Sequence, residues 1–125
     1  MAAITEPVHA GEFVGAYIAD TLSIEVGTVK VGEVLVAGQV VMDDGTGKIV
    51  AHDGALNTAG DVDTAALGII WDAVDASAAE VPNVAYVARL AEVKDDLITY
   101  PEESTAGGEK AAVVASLKAL HIRPR

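Results

Sequence analysis

The residues best suited to chemistry gather in "DDGTGK", Asp43 to Lys48, between the apolar runs "VLVAGQVVM" and "IVA". A phosphate loop needs Gly, four residues, then Gly-Lys and a Ser or Thr, so that backbone N–H groups cradle phosphate and the hydroxyl reaches magnesium. Here Met42 stands at the first glycine's place and Ile49 follows Lys48, so the match fails at both ends. A calcium loop needs oxygen ligands at alternate positions and a distal bidentate Glu. Asp43 and Asp44 are adjacent, their side chains diverge, and no Glu follows at the right distance. The composition fits a hairpin connection instead, because Asp and Gly tolerate the positive φ that tight turns require. The cluster reads as a turn.

The other candidates are scattered. His9, His52 and His121 are far apart, whereas metal-binding pairs on one element stand two to four residues apart. His52 in "AHDG" reads as an exposed residue beside a turn. Ser23, Ser77, Ser104 and Ser116 lie outside any Gly-x-Ser-x-Gly elbow. The absence of cysteine removes disulfides, zinc-thiolate sites and cysteine nucleophiles. Carboxylates such as Asp61, Asp63, Asp72, Asp75, Asp95 and Asp96 are spread through turns, as on a solvated surface. The expectation is a protein that is not an enzyme, with no cofactor and no metal.

Nineteen acidic against eight basic residues give a formal charge of −11, which repels phosphate backbones and anionic lipid. Nucleic acid and membrane are therefore not the expected partners. No stretch approaches the roughly 18 apolar residues of a membrane span. "MAAITEPVHAGEF" lacks the cationic start and apolar run of a secretory signal, so synthesis in the cytoplasm is expected.

The elements that must position these residues are mostly strands. Residues 1–20, with Pro7, Gly11 and Gly15 among Val8, Phe13, Val14, Tyr17 and Ile18, read as an extended arm that cannot bury its apolar residues alone. "TLSIEVGTVKV" alternates, placing Leu22, Ile24 and Val26 on the buried face and Ser23 and Glu25 on the other, with a bulge or turn at Gly27. "EVLVAGQVVM" is strand, bend at Gly38, strand; "KIVAHDG" is a short strand ending on the Asp53-Gly54 turn. "ALNTAGDVDTAA" is a surface loop, and "ALGIIWDAVDA" a buried strand around Gly68, with Trp71 in the core or at a subunit interface. "SAAEVPN" turns the chain at Pro82 and Asn83, and "VAYVARLAEV" is a strand with helix as its competitor. A helix over about 106–119 follows, capped by Ser104 and Thr105, with Val113, Val114, Leu117 and Leu120 at helical spacing and a basic tail after it. The fold class is mainly β (α+β) with one or two short helices: an arm over 1–20 and one β-rich domain over 21–125.

Two stretches resemble the tailed-phage head decoration, or capsid-cementing, family that includes the lambda decoration protein. One is "HAGEFVGAYIADTLSIEVGTVKVGEVLVAGQVV"; the other is "GKIVAHDG", then "AALGIIWDAVDA", then "VARLAEVKDDLITYP". The resemblance covers residues 9 to about 120. It implies a β-clip-like domain forming homotrimers on the outer surface of the expanded virion head, bound to the major capsid protein and holding the shell against internal DNA pressure. It implies an arm contact through Val8, His9, Ala10, Gly11, Glu12, Phe13 and Val14, and structural turns at Gly38, Asp53, Gly54 and Gly68. On this reading, removing residues 1–20 leaves a folded trimer that no longer binds shells. The competing reading is a small β-clip ligand-binding or adaptor module with a pocket around His52 and Trp71.

Overall fold

Apolar residues come in consecutive pairs on the central strands, and the pairs explain the architecture. Neighbouring side chains on a strand point to opposite faces. Val40 and Val41, Ile69 and Ile70, and Tyr86 and Val87 are all buried, one of each pair in each of two apolar clusters. These strands therefore form a wall covered on both sides. The computed structural model describes residues 7–17 and 19–125, apart from the side chains of Asp20 and Thr21.

The wall belongs to a small closed barrel, in the order β2 (Ile24–Val29), β5 (Ile49–Ala51), β4 (Val40–Asp43), β6 (Ala66–Ile70) and β8 (Val81–Val87). Antiparallel pairing runs through most of it, with Val41 opposite Ala51, Val40 opposite Ile69, Ile69 opposite Val87 and Ile24 opposite Val87. Parallel pairing of Val29 with Ile49 closes the ring, helped by the Lys30 N–H donating to the Ile49 carbonyl at 3.0 Å. A second sheet has the order β1 (Val14–Tyr17), β9 (Ala91–Val93) and β10 (Ile122–Pro124). A short ribbon pairs β3 (Val34–Leu35) with β7 (Val74–Asp75). One turn of helix, α1 (Asp20–Ser23), leads into β2, a 3₁₀ turn spans Asp95–Leu97, and α2 (Glu109–Ala119) lies near the C-terminus. The fold is mainly β with one substantial helix, as the sequence indicates. Among the described residues no helix is long and apolar enough to cross a membrane.

Several local expectations hold. Asp43 and Asp44 close the β4–β5 hairpin: Asp43 Oδ1 accepts the N–H groups of Gly45 and Gly47, and Asp44 Oδ1 those of Thr46 and Lys48. Gly38 lies between β3 and β4 at φ +85°, where a Cβ would stand 2.6 Å from the Leu97 carbonyl oxygen. Gly68, expected as a structural turn, is instead the middle of β6, and a Cβ there would stand 2.1 Å from the Val87 carbonyl oxygen, so β8 can approach β6 only because that position has no side chain. The Asp53-Gly54 turn packs on Pro101 and Glu109.

Other expectations are corrected. Leu22 is 44% exposed and Ser23 fully buried because both lie in the α1 turn, outside the strand alternation, and Val26, on the same face of β2 as the half-buried Ile24, is 62% exposed. Pro82 and Asn83 lie inside β8, where the two of them face the single residue Thr28 in a bulge: Gly27 pairs with Val84 and Val29 with Val81. Asn83 takes φ +56° there. Helix α2 starts at Glu109, after the left-handed Gly107 and Gly108, and its first N–H groups are accepted by the Glu103 carboxylate rather than by Ser104 or Thr105. The basic tail is strand β10, with Ile122 fully buried.

Candidate functional site

The segment read as an arm is anchored by its own protein. Phe13 is fully buried in the apolar cluster with Val93, Val113, Leu117 and Ile122, which corrects the expectation that the segment cannot bury its apolar residues. The Phe13 carbonyl accepts the Lys94 N–H at 2.7 Å, and β1 then runs antiparallel along β9, with Val14 opposite Val93 and Tyr17 opposite Ala91. The residues before Phe13 turn tightly over Trp71. Gly11 donates its N–H to the Trp71 carbonyl at 3.0 Å, and its φ of +68° and its place 2.5 Å (for an added Cβ) from Trp71 Cζ2 demand glycine. Phe13 and Tyr17 each meet Trp71 edge-on, with ring centroids 6.2 Å apart. Three of the five aromatic residues thus hold one strand in place.

Of the residues expected in the arm contact, His9, Ala10 and Glu12 are exposed, Val8, Gly11 and Val14 are half-buried, and Phe13 is an internal anchor. The Glu12 carboxylate accepts the His9 backbone N–H at 2.8 Å, which fixes the turn. Residues 1–6 and Ile18 lie outside the described residues. Trp71, half-buried, is neither wholly core nor bare surface: it is the platform on which the N-terminal segment rests.

The chain leaving β1 is held from the barrel side. Arg89 donates to the Leu22 carbonyl at 2.7 Å and to the Glu25 carboxylate at 2.5 Å, and Tyr86 donates to the same carboxylate at 3.1 Å. The Arg89 hydrogen bond holds the Glu25 carboxyl below its ordinary range, and burial, with Glu25 second, pushes the Tyr86 hydroxyl up to about 12. Leu22, Val26, Val31, Val34 and Val36 are each more than two-fifths exposed in the single chain, large apolar side chains left in contact with water.

His52 differs from its expected place. It is 5% exposed; Nδ1 accepts the Gly54 N–H at 2.9 Å, so Nε2 carries the proton and donates to the Thr64 carbonyl at 2.8 Å. Both nitrogens tie the Asp53-Gly54 turn to the following loop. The groove beside Trp71 is lined by Tyr17, Ile24 and Ala85 and does not include His52. Among the described residues no three acidic, imidazole or thiol side chains gather as metal ligands would.

This arrangement offers main-chain and apolar contact, with two sheet edges at β1 and β10. Compared with known families, residues 3–122 match the family described as bacteriophage lambda head decoration protein D. No curated protein matches the chain. The matched span includes the Phe13 anchor, the whole barrel, α2 and the first residue of β10, so it takes in nearly the whole fold. With its structural part in a virus head as the role that follows, the chain belongs to the bacteriophage lambda head decoration protein D family.

Proposed function

We propose that this protein is a cement for a tailed-phage head: a homotrimer that binds the outer face of the expanded shell at its local three-fold positions and resists internal DNA pressure. The observation that carries the reading is the family match over residues 3–122. The major capsid protein is the partner, and residues 8–14 provide the contact. Phe13 acts as the pin that fixes where this contact emerges, while the exposed His9, Ala10 and Glu12 face the shell. Self-association is supported by the exposed Val26, Val31, Val34 and Val36, apolar surface that a neighbouring copy would remove from water. A trimer also raises avidity, because three linked weak contacts bind far more tightly than one. A charge of −11 is tolerated where the protein faces solvent, outside the shell.

The test is co-sedimentation of the purified protein with expanded, undecorated shells, with unexpanded shells as control. Saturable binding to expanded shells alone, at three copies per three-fold position, is the expected result. Absence of binding to either shell overturns the reading.

A further inference from the structure

A closed three-fold ring needs two different surfaces on each copy, because the copies meet head to tail. One such surface is a ridge at β3. Val34 and Val36 are 62% and 45% exposed while Leu35 between them is 1% exposed, so the two valines share the outward face, about 7 Å apart. Asp75 stands directly opposite Val34 across the ladder with β7, and cross-strand partners share a face. Asp75 is exposed, its Oδ1 accepts the Ser77 N–H at 3.0 Å, and it pairs with no cation among the described residues. The ridge is thus apolar with a fixed carboxylate beside it.

The other is an open hollow of about 350 Å³ on the second sheet, where Ala16, Tyr17 and Leu90 supply apolar lining and Glu92, His121 and Arg123 a polar part. Ala16, Glu92 and Arg123 are in register across β1, β9 and β10 and all exposed, so they form one row on the outer face. Glu92 is already engaged, its Oε2 3.2 Å from Arg125 Nε, whereas Arg123 pairs with no carboxylate among the described residues. Residues 118–125 hold Lys118, Arg123 and Arg125 and no Asp or Glu, in a chain of formal charge −11. This corner is a local excess of cations on an acidic molecule. Ridge and hollow lie at opposite ends of β2. Just before the strand the Ser23 hydroxyl donates to the Leu90 carbonyl at 3.3 Å; just after it the Gly32 N–H donates to the Ala76 carbonyl, beside β7, at 2.8 Å. Six residues of strand hold the two about 20 Å apart, so one copy cannot seat its ridge in its own hollow.

We propose, resting on the trimer put forward above, that the Val34–Val36 ridge of one copy seats in the Tyr17–Leu90 hollow of the next, with Asp75 facing Arg123. Two exposed valines and an apolar floor leave water together, and a carboxylate and a guanidinium that lack partners in the single chain meet as opposite charges. Charge selects a second copy as the occupant. Acidic faces of this chain repel one another, and an acidic neighbour is drawn to the corner where cations prevail. Because ridge and hollow differ, each contact leaves one of each unused until a third copy closes the ring.

The chain has no cysteine, so an introduced pair reports on the contact without background. The full-length protein carrying Ala16→Cys and Val34→Cys, bound to expanded shells and treated with a short bis-maleimide, should run as a covalent trimer on a denaturing gel. Each single variant should stay a single chain, since a head-to-tail contact does not set a residue against its own copy. Adding the exposed change Arg123→Glu, checked for fold by circular dichroism, should lower the trimer yield about fivefold, and adding Asp75→Lys to that should restore it. A lysine-reactive reagent on the wild-type protein reports the trimer independently. Trimers with that reagent but single chains from the double-cysteine variant overturn the proposal and leave the trimer standing. Dimers from either single variant, or a yield indifferent to Arg123→Glu, also overturn it. No trimer with either reagent overturns the trimer reading as well.

Discussion

At Gly68 a hydrogen atom decides whether β6 and β8 can pair. Alanine would place its Cβ 2.1 Å from the Val87 carbonyl oxygen and 3.0 Å from the Tyr86 ring, both fixed by the barrel. Gly68→Ala is expected to cost about 3 kcal/mol, read as a lower denaturation midpoint in urea. His52→Ala should cost about 2 kcal/mol in the same assay, because the buried Gly54 N–H and the Thr64 carbonyl lose their partner together. The two residues differ in how far they could be read. Gly68 stands in an unmistakable apolar strand, where a glycine marks close approach. His52 borders a polar loop, and its burial follows from Thr64, twelve residues on, folding back over the imidazole.

The β4–β5 hairpin was legible because its instructions are local: Asp43 and Asp44 bond to N–H groups two and four residues away. The start of α2 was misplaced because its partner is not local in the usual sense; Glu103 reaches past Ser104 and Thr105 to accept from residues 109 and 110. Each of these two elements holds a carboxyl well below its ordinary range. The Thr46 side-chain and backbone hydrogen bonds hold the Asp44 carboxyl down to about 2 from an ordinary 3.8, and Glu109 is lowered similarly from 4.5. Both groups bind a proton less readily folded than unfolded, so their contributions are complete above those ordinary values and are lost as pH falls through about 2. Thermal melts between neutral pH and the acid limit should fall most steeply across that window, and Asp44→Asn should flatten the fall. In the second sheet, Ile122→Ala should cost about 2–5 kcal/mol, because β10 fills the core through this fully buried residue.

For the molecule as a whole, the fate of the N-terminal segment is the central question. Removing residues 1–20 would take away Phe13 and strand β1, opening the core and uncovering the edge of β9. That deletion therefore tests stability together with binding, and it replaces the expectation of an intact body with that of a destabilised one. Phe13→Ala alone should cost about 3–5 kcal/mol. Replacing the exposed His9 and Ala10 together, by alanine and glutamate, spares the Gly11–Trp71 contact and the Phe13 anchor, so the melting temperature should stay close to wild type while sedimentation with expanded shells is weakened. Shell binding undiminished in that variant would remove His9 and Ala10 from the mechanism. If the exposed valines join the proposed trimer, Val34→Glu should shift the protein toward monomer in light scattering without unfolding it, since Val34 is 62% exposed in the single chain.

Hydrophobic runs, turn residues and the absence of cysteine determined the class of molecule from sequence alone: mainly β, with a short C-terminal helix, the Asp43–Lys48 turn and the Gly38 bend in their observed places. These signals act over a few residues, through backbone geometry and the two-residue period of a strand. Tertiary structure alone decided that the barrel closes through Val29 and Ile49, that the wall is buried on both faces, and that the tail pairs parallel with β9. It also decided that Phe13 faces inward, that Val26 faces outward, and that Glu109 is sealed against Glu103. Burial is a property of what packs opposite a side chain, and for these residues the opposing groups, where there are any, come from other segments of the chain, which alternation cannot reveal.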